Sequence, residues 1–288
     1  MKSLCLFASY FKSESVPYYV HVYLKELKRQ FEDVYFLTSK EKLHETDESV
    51  LKRNNIHILH LQNKGFDFGL WYQALQKIDV NAHNSLALVN DSCVLFKSLD
   101  GFMNWAERDL SDIKGMTRSE AIFPHLQSYF LLLNKKAIPY LLSYFNEHKL
   151  LKDISDVIQI YEVGLSRFWY EKGLTISSYL DNDGYTGEFS PYYFCVEEHI
   201  KKGIPLIKKK IIYCSYRRDE LHTLARMNFN IDRGHYFSLL SGKKDLIIDL
   251  NILKSEGIKM SGWEIAVYNL KRFAIRLLRP IYKLIKNA

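Results

Sequence analysis

The chain has 288 residues, 47% of them apolar and 25% charged, which is ordinary for a globular protein and excludes a largely disordered one. That length suffices for one large α/β domain plus an extension, or for two small domains. The net charge of +7 favours an anionic partner, but no recognisable nucleic-acid motif accompanies it, so a membrane surface or a diphosphate fits better than nucleic acid.

In chain order, Leu4 to Ser9 is a short apolar strand, and the N-terminus reads as that strand rather than as a signal-peptide core. Val20, Tyr23, Leu24 and Leu27 recur at helical spacing within a helix over Tyr19 to Phe31. Strands follow at Asp33 to Ser39 and Ile56 to Leu61, then a helix over Asp67 to Ile78 and a strand over Ser85 to Val94. Beyond these come a helix at Leu99 to Arg108 and strands at Ile113 to Thr117 and Ser128 to Asn134. Helices at Ile138 to Phe145 and Ile154 to Lys172 lead into a strand at Leu174 to Tyr179. Strands alternating with helices at this pace give an α/β fold with a mostly parallel sheet and helices on both faces. The stretch from Tyr185 to about Arg233 is irregular and aromatic, and the one plausible boundary lies near Asn230 to His235, dividing the chain into 1–232 and 233–288.

The aromatic share is high at 14%, with 20 Tyr and 17 Phe. Tyrosine-rich surfaces suit sugars, although packing of the core and its edge accounts for most aromatic residues. Cys5, Cys93, Cys195 and Cys214 are widely spaced, without a Cys-x-x-Cys pair, which points to a reducing compartment and away from a zinc site. The expected location is the cytoplasm, on the inner face of the membrane.

Two polar segments follow apolar strands. Asn63-Lys64-Gly65-Phe66-Asp67 ends one strand and opens a helix; Gly65 allows a positive φ or a close backbone approach, and Asn63 offers an amide. Asn90-Asp91-Ser92 ends the next strand and is expected at the surface. The two ends are expected side by side at the carboxyl edge of the sheet, where open α/β sheets bind ligands. Asp is depleted in strands, so Asp91 either caps a turn or binds, and a hard divalent cation with substrate phosphates would suit its carboxylate.

His125-Leu126-Gln127-Ser128-Tyr129-Phe130 alternates into a strand, so that His125 and Gln127 share a face from which either could meet a sugar hydroxyl, or lie idle at the surface. Glu162 lies in the helix preceding the last strand, as a general base or as a solvated residue. Lys208-Lys209-Lys210 could contact a diphosphate, though such a run is usually a solvated face.

Together these segments, with Tyr23-Leu24-Lys25-Glu26-Leu27, Gly115-Met116-Thr117, Tyr161-Glu162-Val163-Gly164-Leu165 and Pro205-Leu206-Ile207-Lys208, resemble the rhamnan synthesis protein F family of bacterial glycosyltransferases, in family order from about Leu6 to Ile211. The more distant resemblance is to inverting glycosyltransferases of the GT-A type. It implies a GT-A-like fold, a nucleotide-sugar donor, rhamnose or a related deoxysugar, and a growing lipid-linked polysaccharide as acceptor.

By this resemblance Glu162 is the base, and the diphosphate is held either by Asp91 with Mg2+ or Mn2+ or, without a metal, by lysine and backbone N–H groups. Tyr10, Ser39, Asn63, Gly65, Asp67, Asn90, Ser92 and Lys208 fall on the donor side, and His125, Gln127 and Tyr129 on the acceptor side. A non-catalytic nucleotide- or glycan-binding subunit is the alternative, because Asn90-Asp91-Ser92 stands where a paired-Asp motif is usual.

From Trp263 to Ile285, Trp263, Val267, Leu270, Ala274, Leu277, Ile281 and Leu284 line one helical face, with Arg272, Arg276, Arg279, Lys283 and Lys286 opposite. A basic amphipathic helix over 263–288, interrupted at Pro280, is expected to lie on an anionic membrane surface or to pack its apolar stripe on the domain.

Overall fold

The computed structural model describes residues 2–11, 15–120, 123–181, 199 and 201–209. The described residues fall within one compact unit. The helix expected over 263–288, the boundary near residue 232 and Cys195 and Cys214 lie outside them.

The chain runs β1 (Ser3–Ser9), α1 (Tyr18–Gln30), β2 (Asp33–Thr38), α2 (Glu45–Arg53), β3 (His57–His60), α3 (Phe66–Leu75), β4 (Ser85–Asn90) and β5 (Cys93–Leu95). It continues through α4 (Asp100–Arg108), β6 (Ile113–Ser119), β7 (His125–Leu126), β8 (Phe130–Asn134) and α5 (Ile138–His148). α6 (Ile154–Asp156), a π-helix (Val157–Gly164) and α7 (Leu165–Glu171) form one continuous helical run before β9 (Ile176–Leu180) and β10 (Leu206–Lys208).

The main sheet has the order β3-β2-β1-β4-β8-β6-β7, with β9 also paired to β6. β3, β2, β1 and β4 are mutually parallel, and so are β6 and β9. β8 enters antiparallel between β4 and β6, and β7 pairs antiparallel with the end of β6. This is the mostly parallel α/β sheet that the sequence implied.

Alternation along β1 explains the layers. Leu4, Leu6 and Ala8 enter a core shared with Trp71 of α3, Leu141 and Phe145 of α5, and Trp169 of α7. Phe7 points the other way, its ring 5.2 Å from that of Tyr23 on α1. On that same face Phe102 of α4 meets Phe130 edge-on at 4.9 Å. With both faces covered, the central strands read as nearly continuous apolar runs.

Three expectations change. The strand expected over Ser85 to Val94 is two strands. The Asn90 carboxamide oxygen accepts from the Ser92 N–H at 3.1 Å and from its hydroxyl, folding a turn that diverts Cys93–Leu95 into a separate pairing with β10. Asn90 and Asp91 are accordingly buried rather than at the surface. The β3 and β4 ends are not neighbours either, because β2 and β1 lie between them.

Asp112 ties the far half of the sheet together at the start of β6. Its carboxylate accepts from the Thr175 N–H and hydroxyl, from the Asn134 carboxamide at 3.0 Å and from Lys136 at 2.9 Å. Burial works against the charged form, but these donors outweigh it and hold the carboxyl well below its usual range.

Such a depressed group contributes stability above its unfolded value, near pH 4, and loses it as pH falls through the folded value. Asp112→Ala leaves the Thr175 and Asn134 donors without their acceptor and should lower urea-unfolding stability by about 2–4 kcal/mol at neutral pH. The difference from the wild type should narrow in acid.

Candidate active site

The site is built at the carboxyl ends of β1 and β4, from the helix that opens after β3 and from the π-helix. Gly65 adopts φ +80°, the left-handed turn that the sequence suggested. The chain then doubles back so tightly that a Cβ on Gly69 would stand 1.9 Å from the Lys64 carbonyl oxygen. Trp71 fastens the helix below, donating its indole N–H to the Leu6 carbonyl at 3.2 Å.

This return brings Asp67 to β4 although β3 is remote from it: the Asn90 carboxamide donates to Asp67 Oδ2 at 2.8 Å. One helical turn thus does what strand adjacency was expected to do.

Asp91 is buried beside them, and one oxygen collects three donors. Oδ2 accepts from the Ser9 hydroxyl at 2.9 Å and the Tyr19 hydroxyl at 3.1 Å, and lies 3.3 Å from the Lys209 ammonium. Ser9 ends β1, Tyr19 belongs to the first turn of α1, and Lys209 follows β10. Lys208, the lysine assigned to the donor in the sequence, instead lies over the Tyr129 ring at 5.4 Å. The strand ends at Lys208, and it is Lys209, just past it, that reaches Asp91.

Glu162 comes from the π-helix and caps Ser128, accepting from its N–H at 3.2 Å and its hydroxyl at 3.3 Å, both at Oε1. It lies well inside the helical run, within the helix where the sequence placed it. Two tyrosine hydroxyls hold this stretch: Tyr144 donates to the Ile160 carbonyl at 2.7 Å, and Tyr161 donates to the Lys149 carbonyl. At Gly164 a Cβ would meet the Tyr144 hydroxyl at 2.7 Å, so the glycine makes room for it. Irregular π turns of this kind are frequent at functional sites.

The rings flanking the carboxylates lock the two helices together. Phe68, next to Asp67, stacks on Tyr161, next to Glu162, with centroids 5.0 Å apart and planes 7° from parallel.

Asp67, Asp91 and Glu162 therefore share one electrostatic environment. The Asp67 carboxyl is pushed up to about 7, chiefly by burial and then by the charge of Asp91. Lys209 and the Asn90 bond oppose this, and Glu162 adds to it. Near neutral pH Asp67 is thus poised between acid and carboxylate.

The acceptor-side residues are less open than expected. Gln127 and Tyr129 are buried, and the Thr117 hydroxyl donates to the Gln127 carboxamide oxygen at 3.0 Å and pairs with the Tyr129 hydroxyl at 2.8 Å. His125 is also buried, its Nδ1 2.7 Å from the Phe123 carbonyl. Asn63 and Tyr10 are exposed, and Ser39 and Ser92 are half-buried.

The metal implied for Asp91 finds few partners here. Among the described residues no group of three or more His, Cys, Asp or Glu is placed to hold a metal ion. A dication on Oδ2 would also stand beside the Lys209 ammonium. These side chains do not by themselves compose a divalent-metal site.

Because the Asp67 carboxyl is raised in the folded protein, it stabilises the fold below its unfolded value near pH 4, and this contribution disappears as pH rises through about 7. Asp67→Asn keeps an acceptor for Asn90 and cannot ionise. The variant should gain in melting temperature relative to the wild type between pH 5 and pH 8, in thermal scans across that range. A difference independent of pH would show that Asp67 keeps an ordinary carboxyl.

A profile of the rhamnan synthesis protein F family matches residues 35–241. No curated protein matches the chain. Among solved structures, the glycosyltransferase GlyE of Streptococcus pneumoniae TIGR4 is 12% identical, with 84% of this chain and 64% of that chain covered at a TM-score of 0.43. A glucose-1-phosphate thymidylyltransferase from Bacillus anthracis is 12% identical over 62% of this chain and 86% of its own, at a TM-score of 0.41. A glycosyltransferase involved in the glycosylation of the major capsid of PBCV-1 is 9% identical over 77% of this chain and 98% of its own, at a TM-score of 0.36. The family match takes in the turn after β3, the Asp91 corner, the Glu162 helix and Lys209, and the chain belongs to the rhamnan synthesis protein F family.

Proposed function

We propose that the chain is a glycosyltransferase that moves a sugar from a nucleotide-diphosphate donor to a growing cell-surface polysaccharide. Membership of the rhamnan synthesis family favours rhamnose or a related deoxysugar as the transferred unit and a lipid-linked glycan as acceptor. The observation that carries the reading is the corner at the carboxyl ends of β1 and β4, where Ser9, Tyr19 and Lys209 converge on Asp91 and Asn90 ties in Asp67, with Glu162 near enough for its charge to act on Asp67.

In this reading the donor lies along the carboxyl ends of β1 and β4, with its diphosphate at the Asp91 corner. Glu162, held through Oε1 by Ser128, takes the proton of the acceptor hydroxyl. The hydroxyl oxygen then bonds to the anomeric carbon from the face opposite the nucleotide. The bond from that carbon to the diphosphate oxygen breaks, its electron pair leaves with the nucleoside diphosphate, and the configuration inverts. The stacked Phe68 and Tyr161 fix the separation of the helix that carries Asp67 from the one that carries Glu162.

The acceptor places the reaction at a membrane surface. No helix among the described residues is long and apolar enough to cross one. The basic amphipathic stretch over 263–288 supplies the attachment in this proposal, its arginines and lysines over anionic headgroups on the cytoplasmic side, each worth about 1 kcal/mol near the surface.

Purified protein incubated with a panel of nucleotide-sugars and a lipid-linked acceptor extract should release nucleoside diphosphate. Glu162→Gln retains the acceptor atom for Ser128 and should leave donor affinity intact while lowering turnover by roughly two to four decades. Asp91→Ala should weaken donor binding and turnover together. Donor binding without release from any sugar nucleotide would instead identify a binding subunit of an assembly complex.

Full-length protein should sediment with anionic and not with neutral liposomes at low salt. Combining Arg272→Glu, Arg276→Glu and Arg279→Glu should abolish this. Retained sedimentation would assign the stretch to packing rather than to the bilayer.

A further inference from the structure

Lys209 has a placement that neither its charge nor its position in a lysine run explains. β10 pairs with β5 in the register Leu206 to Leu95, Ile207 to Val94 and Lys208 to Cys93. The Lys209 N–H then donates to the Ser92 carbonyl at 2.8 Å, which puts the residue directly beside the turn that carries Asp91. From there its ammonium donates to the Tyr19 hydroxyl at 2.7 Å, stands 3.3 Å from Asp91 Oδ2 and lies 4.9 Å from the centre of the Tyr19 ring. Its side chain is 20% exposed against 8% for Asp91. The carboxylate is nearly sealed in, whereas the lysine side chain keeps part of its surface exposed.

An ammonium has three N–H donors, and Asp91 and Tyr19 take two. The local charge also calls for a cation. Asp67 senses three charged neighbours, of which Asp91 and Glu162 are negative and Lys209 positive. A diphosphate brought to this corner finds its electrostatic complement in Lys209, the cation among those charges.

Resting on the nucleotide-sugar reading above, we propose that Lys209 is the group that binds the donor diphosphate. Asp91, Tyr19 and Ser9 act as its holder, and the ammonium occupies the place of a divalent metal. Asp91 is then a positioning residue that acts through Lys209. As the bond between the anomeric carbon and the diphosphate oxygen breaks, the oxygen receiving the electron pair faces a cation already in position, so little reorganisation accompanies the step.

The test uses the full chain and calorimetric titration with dTDP, UDP and GDP, in excess EDTA and again with Mg2+ or Mn2+. The diphosphate that binds should do so equally well in both conditions. Lys209→Met should weaken it by about 10–100-fold, the worth of a charge-assisted hydrogen bond, and Lys209→Arg should restore most of the affinity. Because Lys209→Met leaves Asp91 buried without its cation, the pair Lys209→Met with Asp91→Asn is titrated alongside, its melting temperature reporting an intact fold.

Binding that EDTA abolishes and Mn2+ restores, with Lys209→Met as tight as wild type, overturns the proposal while leaving the glycosyltransferase reading in place. Weakening that Lys209→Arg does not rescue reduces Lys209 to a structural counter-ion and likewise overturns it. Failure of all three diphosphates to bind the folded wild-type protein overturns both readings.

Discussion

The interaction on which the site depends is the convergence of Ser9, Tyr19 and Lys209 on one oxygen of Asp91. A carboxylate taken out of water is costly unless it is both paired and hydrogen-bonded, and Asp91 is both. The donors come from the end of β1, the start of α1 and the residue after β10, so the charge cannot be satisfied until these three stretches meet. The backbone agrees: the Asp91 N–H donates to the Ala8 carbonyl at 3.1 Å, extending the β1–β4 ladder by one bond past the last paired residue. The polar corner and the central parallel pair are therefore a single construction.

A second constraint sets the distance across the site. Phe68 and Tyr161 stack, and Phe145 closes on both, at 6.3 Å from Phe68 and 5.1 Å from Tyr161. Each stacked ring is the sequence neighbour of an acidic residue, so the apolar packing beneath determines where the acids stand above. The π-helix belongs to the same arrangement. Its irregular winding is held by the Tyr144 hydroxyl on the Ile160 carbonyl, in a space that only a glycine at position 164 leaves open.

Much of the sheet was legible because its strands are buried on both faces and read as apolar runs bounded by polar turns. The same property hid the break after Asn90: Cys93, Val94 and Leu95 continue the apolar run, and only a side-chain hydrogen bond of Asn90 diverts them. α2 escaped notice because Leu51 is its sole buried residue, which leaves no apolar stripe to detect. In the site, Gly65, Asp67, Asn90, Asp91 and Glu162 stood out as polar or special residues at element ends or in a helix near the last strand. Their mutual contacts did not, since Asp67 reaches Asn90 through a helical return and not through neighbouring strands. The choice of Lys209 over Lys208 turns on the register of three residues against β5, which no feature of the lysine run encodes. Gly69 and Gly164 carried no recognisable signal either, because the atoms they make room for belong to other parts of the backbone or to a distant tyrosine.

The distance along the chain between Asp91 and its cation has a bearing on how the protein is made. Chains emerge N-terminus first and fold progressively as they do so. Ser9 and Tyr19 are available as soon as β4 is made, whereas Lys209 arrives 118 residues after Asp91. Through that interval a nascent chain that has paired β1 with β4 holds a carboxylate with two hydroxyl donors and no counter-charge. The corner is completed only when the short β10 finds β5, a late zippering of three residue pairs. Ribosome-bound intermediates are thus left with an ionisable weak point at the place where the folded protein has its cation, and the docking of β10 removes it.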